Sequence, residues 1–452
     1  MSYFGTDGIR GEIGRCDKIH PQFLMHLGWA LGQYIRQDEV VKSKLVDGVK
    51  PKVLIGKDTR ISGYMLESAL ESGLISAGID IYLLGPMPTA AIAYLTRTFK
   101  ANAGIVISAS HNPFYDNGIK VIDGCGRKIS KETQKQISRF LDQSPETVES
   151  YLLGKAYRLK GAPERYIEFC KSVLTDRSSL SSFKVVLDCA NGASYHIAPS
   201  VFDELGAQCH VLFNRPNGVN INLNCGSTNP YECSRQVVAR QASLGICLDG
   251  DGDRMIPIDD QGRVLTGDHV LYVLAKYLKA TNRLSGGVVG TIMTNAGLEQ
   301  ALKSQSIDFK RVPVGDQHIV KEMLASGWNL GGEPSGHTIL SDIFNSGDGI
   351  LTALMVMEAL NYFGGSISEL LHDLKMYPSQ LVNLPWQESG DLDHVQTVAS
   401  EVQQQYLENG RILIRPSGTE PLLRVLIEAE TKAEVTHAMK HTLAKLSELV
   451  TT

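Results

Sequence analysis

The 452-residue sequence contains no apolar run approaching the roughly 18 residues that a transmembrane helix needs, so no membrane span is expected. Its first residues, MSYFGTDGIRGEIG, carry neither the charged nor the apolar region of a secretory signal, and a cytoplasmic location is expected. Excess positive charge is missing as well. The net charge is −5, which argues against nucleic acid or an anionic membrane as partner. Any anionic ligand must then be held by local basic clusters. Paired cysteines are also absent: the eight lie at 16, 125, 170, 189, 209, 225, 233 and 247 with no C-x-x-C. Half of them sit in apolar runs such as VVLDCA and LGICLDG, as small buried thiols in a reducing compartment would.

A hydrophobic fraction of 43% with 21% charged residues is that of an ordinary soluble globular chain. The length suggests about three domains. Three segments, beginning at Lys52, Phe183 and Gly287, share one pattern: a short apolar strand, a small polar loop, a helix and a second strand. Leu66, Ala69, Leu70, Gly73 and Leu74 form a helical stripe in the first, and Ile197, Ala198, Val201, Phe202 and Leu205 form one in the second. The copies lie too far apart for a solenoid. The expected class is α/β: three related α/β domains with mixed, largely parallel sheets around a central cleft. After Tyr377-Pro378 the pattern changes to GRILIRPSGTEPLLRVLIEAE, two strands about a turn, followed by a helix over 431–449. A smaller C-terminal α+β domain is expected there. The boundaries fall at 1–158, 159–260, 261–372 and 373–452.

The sharpest motif is LGICLDGDGDRMIPID. An apolar strand ends at Asp249, and carboxylates recur at Asp251 and Asp253 with glycines between them. Such a cluster repels itself unless a cation is present, and hard oxygen donors suit Mg²⁺ or Ca²⁺. An EF-hand is excluded, because its sixth position is Arg254 and its twelfth Asp260. The remaining alternative is a solvated acidic turn. Metal sites left open by protein carboxylates are often completed by phosphate, and IRPSGTEPLLR offers Arg415, Ser417, Gly418, Thr419 and Arg424 for one. Lys57, Arg60 and Arg10 lie in other glycine-flanked loops and are weaker candidates for the same role. GGEPSGH places Glu333, Ser335 and His337 on one loop, suited to vicinal sugar hydroxyls or, more plainly, to a capped turn. In GIVISASHNP an apolar strand opens into Ser108, Ser110, His111 and a turn, so Ser110 is either a nucleophile or a turn residue.

The set SASHNP, DGDGDR, GEPSGH and RPSGTEP, in that order and spanning nearly the whole chain, resembles the α-D-phosphohexomutase superfamily. That resemblance implies that Ser110 is a phosphoserine which gives a phosphoryl group to the substrate and takes one back. It implies one Mg²⁺ per subunit, bound by Asp249, Asp251, Asp253 and the phosphorylated Ser110. Lys120, in NGIK, corresponds to the general acid/base, with Arg10 and His111 supporting the serine loop. The substrate-binding set is Arg254, Glu333, Ser335, His337, Arg415, Ser417, Gly418, Thr419 and Arg424. FGTDGIRG, NINLNCGST and the paired glycines of GGEPSGH are most similar to the branch that interconverts glucosamine 6-phosphate and glucosamine 1-phosphate for UDP-N-acetylglucosamine synthesis. The partner is then a small hexosamine phosphate. The alternatives are a phosphoglucomutase/phosphomannomutase of the same mechanism and a non-catalytic sugar-phosphate-binding homologue. Gln317-His318 departs from the family's usual Gly-Asp-Arg-aromatic pattern. A homodimer is left open.

Overall fold

Each of the three repeated segments builds the same four-stranded unit in the computed structural model, which describes residues 3–5, 8–46, 48–175, 180–386, 392–416 and 421–450. In the first unit Lys52–Lys57 lies parallel to Asp80–Pro86 on one side and to Ala103–Ile107 on the other. Asp116–Asp123 then returns antiparallel to Ala103–Ile107. The second unit repeats this with Lys184–Asp188, Gln208–Leu212, Leu244–Leu248 and the antiparallel return Met255–Ile258. The third uses Val288–Thr291, Phe309–Val312, Leu330–Gly332 and the return Thr338–Leu340. Ile9–Glu12 and Ala156–Arg158 widen the first sheet to six strands.

Local sequence explains these elements. The central strands AGIVI and LGICL are buried at every position, as strands covered on both faces by crossover helices must be. The helix Ser62–Ser76 buries Leu66, Leu70 and Leu74 completely, and each such leucine is worth about 1.5–3 kcal/mol of transfer free energy. Gly73 lets this helix pack directly on the backbone of Pro21–Arg36, because a Cβ there would collide with the carbonyl of Met25. One hydrophobic core runs without a break from Ile92 through Tyr166 and Phe202 to Leu271 and Met355, joining the three units.

The C-terminal domain has its own core. It is a three-stranded antiparallel sheet, Ser379–Pro385, Leu422–Glu428 and Arg411–Pro416 in that order, with helices Leu392–Tyr406 and Lys432–Val450. The last helix and the last two strands match expectation. The strand Ser379–Pro385 was not anticipated, and its residues are largely exposed, leaving little apolar signal. Arg411 fastens this domain to the third unit through the carbonyls of Ile292 (2.6 Å) and Thr294 (2.7 Å). All eight cysteines are free thiols. No helix among the described residues is long and apolar enough to cross a membrane.

This shared topology places the motifs. SASHNP, DGDGDR and GEPSGH each occupy the connection from the third parallel strand of a unit to its antiparallel return. Loops at the carboxyl ends of parallel strands are where open α/β sheets bind ligands. Three such loops converge.

Candidate active site

Ser110 has φ of 51°, a left-handed conformation that a non-glycine residue holds only when its surroundings impose it. Its N–H donates to Ser108 Oγ (2.9 Å), and Ser108 Oγ donates to Asp58 Oδ2 (2.6 Å). Ser108 is therefore a scaffold for the loop. The Arg60 guanidinium, 0% exposed, donates to Asp58 Oδ2 (2.7 Å) and to the carbonyls of Ser110 (2.9 Å), Asn112 (2.8 Å) and Asp116 (3.0 Å), and also to that of Pro113. This corrects the expectation that Arg60 binds phosphate: its donors are consumed inside the protein. Lys57 is likewise buried against Glu67.

The Ser110 hydroxyl points the other way. Its Oγ donates to Asp249 Oδ2 at 2.7 Å and lies 3.3 Å from His111 Nδ1. Burial, followed by the positive charges of Arg254 and Arg10, pushes His111 down to about 4, so the ring is neutral near pH 7. Arg10 crosses opposite Gly118 in the adjacent strand.

One oxygen from each of Asp249, Asp251 and Asp253 falls within 4.8 Å of the others, and all three residues are buried. Burial and then the neighbouring carboxylates push Asp249 well above the ordinary range. Burial also pushes Asp251 and Asp253 upward, but the Lys120 ammonium outweighs it and both end below the ordinary range. Lys120 Nζ lies 2.9 Å from Asp251 Oδ2 and 3.7 Å from Asp253 Oδ2. Thr89 pins the loop through its Oγ1 to Asp251 Oδ2 (2.7 Å) and its N–H to the Asp251 carbonyl (2.9 Å). Asp251 Oδ1 and Asp253 Oδ1 are buried acceptors with no hydrogen-bond donor among the described residues. Buried oxygens without donors, converging in a carboxylate cluster, fit a hard divalent cation.

The third loop is divided. Glu333 Oε1 accepts from the Gly315 N–H (3.0 Å), and Ser335 Oγ stands 3.4 Å from Glu333 Oε2. His337 belongs with the carboxylates instead: its Nδ1 is 3.7 Å from Asp253 Oδ2. Burial alone would lower this imidazole, but Asp253 holds it up at about 9. Arg254 and His337 form a backbone bridge between the second and third loops, and the Arg254 N–H donates to Asp249 Oδ1 at 3.2 Å. Thr89, Lys120, Asp253 and His337 line a cleft of about 1310 Å³, together with Asp316 and Gln317.

In the C-terminal domain Arg415 and Arg424 are direct cross-strand partners, both partly exposed. Like charges so opposed are unfavourable, and an anion between them relieves the repulsion. Ser417, Gly418 and Thr419 lie outside the described residues. Sequence reasoning missed Asp58, Arg60 in its true role, and Thr89. Only Thr89 had a signal, a hydroxyl following Pro88 at the start of a helix.

Profiles of four phosphoglucomutase/phosphomannomutase domains match in order: alpha/beta/alpha domain I over residues 1–147, domain II over 164–262, domain III over 266–377 and the C-terminal domain over 381–445. The phosphoglucosamine mutase of Marinobacter nauticus is 48% identical over 442 residues, 97% of this chain and 96% of that protein. That of Cronobacter sakazakii is 49% identical over 438 residues, 96% of each. Among solved structures, a phosphoglucomutase/phosphomannomutase family protein from Burkholderia thailandensis superposes with a TM-score of 0.81 at 22% identity, covering 99% of this chain and 97% of that one. An Aspergillus fumigatus N-acetylphosphoglucosamine mutase gives a TM-score of 0.63 at 17% identity, with 99% and 95% covered.

Proposed function

The chain belongs to the phosphoglucomutase/phosphomannomutase family, and on that premise we propose that it interconverts D-glucosamine 6-phosphate and α-D-glucosamine 1-phosphate through a phosphoserine and a bisphosphate intermediate. Relatives at 48–49% identity over nearly the full length carry the name phosphoglucosamine mutase. The observation that carries the mechanism is the 2.7 Å contact between Ser110 Oγ and Asp249 Oδ2. A hydroxyl in a strained loop meets the first of three clustered carboxylates contributed by a different domain.

In this reading the phosphoryl group on Ser110 passes to the free hydroxyl of the bound sugar phosphate. The Ser110 Oγ–P bond breaks as the sugar O–P bond forms, and the hydroxyl proton goes to Lys120 Nζ, which takes this role as the neutral amine. The resulting bisphosphate turns over and returns its other phosphoryl group to Ser110 Oγ. Ser110 Oγ leaves the first transfer without a proton, so the return needs no base on it, and the sugar oxygen released there takes its proton back from Lys120 Nζ; His111 stands beside Oγ in the loop. Asp249, Asp251 and Asp253 would hold one Mg²⁺, which supplies neutralisation of charge on the transferring phosphoryl group. Glu333 and Ser335 hold sugar hydroxyls that nearly superpose in both orientations. Arg415 and Arg424 grip the distal phosphate, together with residues 417–419.

None of these groups reads C2, where glucosamine carries an amine and glucose a hydroxyl. A pocket that merely tolerates an isostere discriminates by about 10–200-fold. Measured kcat/KM should therefore favour glucosamine 6-phosphate while leaving side activity on glucose 6-phosphate. A higher kcat/KM on glucose or mannose 6-phosphate would overturn the substrate assignment.

A further inference from the structure

Arg60 is not the only group holding the carbonyls of the serine loop. Asn222 Nδ2 lies 2.9 Å from the Ser110 carbonyl oxygen and 3.1 Å from that of Asn112. These are the same two oxygens that Arg60 Nη2 reaches from the first domain at 2.9 and 2.8 Å. Both partners are pure acceptors, so the amide must present its NH₂ there. We infer that the side-chain amide of Asn222, contributed by the second α/β domain, is a positioning residue that fixes the left-handed conformation of Ser110 and so aims its hydroxyl at the metal-loop carboxylates. The inference rests on the reading of Ser110 as the phosphoryl carrier.

The surroundings of Asn222 are built to place that amide. Its own φ is 58°, a conformation that asparagine tolerates better than most residues. Its N–H donates to the Ala190 carbonyl (2.9 Å). Ala190 N–H and Gly226 N–H, on the two loops flanking it, both donate to Asp188, each at 2.8 Å. Thr59 Oγ1, adjacent to Arg60, donates to the Asn191 carbonyl at 2.5 Å and ties the same loop back to the first domain. The metal loop meets this junction as well. A Cβ on Gly250 would stand 2.5 Å from the Ser110 carbonyl oxygen and 2.8 Å from Asn222 Nδ2, so only glycine permits the approach. The carbonyl of the reacting serine, the Asn222 amide and the backbone between Asp249 and Asp251 therefore touch at one point. Mere attachment of the second domain to the first would not require the amide to grip the serine itself. Gripping it there sets the direction of the Ser110 side chain, because a peptide held at both carbonyl lone pairs cannot rotate.

Two variants of the full-length protein test this. Asn222→Asp keeps size and tolerance of a left-handed backbone but turns an acceptor toward both carbonyls. Asn222→Gly keeps the backbone freedom and removes the amide altogether. With glucosamine 6-phosphate and Mg²⁺, each should lose kcat by at least about tenfold, and up to about 100-fold, since misplacement of a reacting group by an ångström costs that much. KM should stay within about twofold. A fall in kcat of less than tenfold in both variants would overturn the inference. So would a rise in KM that matches the fall in kcat, or failure of both variants to fold, which would make the residue a general structural contact. Full activity of Ser110→Ala would instead overturn the reading on which the inference rests.

Discussion

Replacing Arg60 by alanine probes how the serine loop is held. Arg60 and Asp58 are both fully buried, and removing one partner of such a pair costs about 3–5 kcal/mol. The carbonyls of Ser110 and Asn112 retain Asn222 as a donor, whereas those of Pro113 and Asp116 lose Arg60. A loss of about 4 kcal/mol corresponds to a fall in Tm of roughly 8–16 °C for a domain of 150–250 residues. Burial already raises Asp58 in spite of Arg60. Without its counter-charge the carboxyl should favour protonation further, so the folded variant gains stability as pH falls and the deficit shrinks at acid pH. Thermal melts by circular dichroism near pH 7 and pH 5 measure both effects. Arg60→Lys should recover only part of the loss, because one ammonium cannot span Asp58 and four carbonyls. A Tm within about 2 °C of wild type for Arg60→Ala would refute the reasoning.

Asp251→Asn should lower kcat more than it raises KM, because the carboxylate acts on charge that develops in the transition state; Mg²⁺ titration should require more metal, and an unchanged kcat would make the acidic loop a structural turn. Glu333→Ala should weaken kcat/KM for glucosamine and glucose phosphates alike, since the hydroxyls it would bind are common to both. A selective loss on one sugar would contradict that. Asp188 is buried and raised to about 7, above its unfolded value, so the stability it contributes at acid pH is lost as pH rises through about 7. Urea denaturation at pH 5 and pH 8 should show a smaller decline for Asp188→Asn than for wild type, and an equal decline would count against the assignment.

The βαβ half of each unit was legible because its first strand holds an apolar run such as Val53–Ile55 or Val185–Leu187 and its helices carry stripes such as Leu66, Leu70 and Leu74. The antiparallel return Met255–Ile258 was less visible, being too short to show a period. Chemistry-bearing loops announced themselves by composition, yet their equivalence in topology did not, since each rests on a first-to-third strand pairing between positions as distant as Val53 and Ala103, Val185 and Leu244, or Val288 and Leu330. Arg60 was misread because a guanidinium in a glycine-flanked loop looks the same whether it faces solvent or a partner 50 residues away. His337 was grouped with Glu333 and Ser335 by proximity in sequence. In the fold its Nδ1 lies 3.7 Å from Asp253 Oδ2, a contact no local pattern encodes.

The central claim is that Ser110 carries the phosphoryl group, and the comparison of wild type with Ser110→Ala tests it most directly. Conversion of glucosamine 6-phosphate to the 1-phosphate would be followed for both proteins, with intact mass recorded on the same samples. Ser110 is enclosed and its neighbours are held by backbone contacts, so the alanine variant should fold as wild type does. The account predicts that activity in the variant falls to background and that active wild type carries one phosphate which the variant lacks. An alanine variant that turns over at the wild-type rate, or active wild type with no phosphate on Ser110, would contradict it.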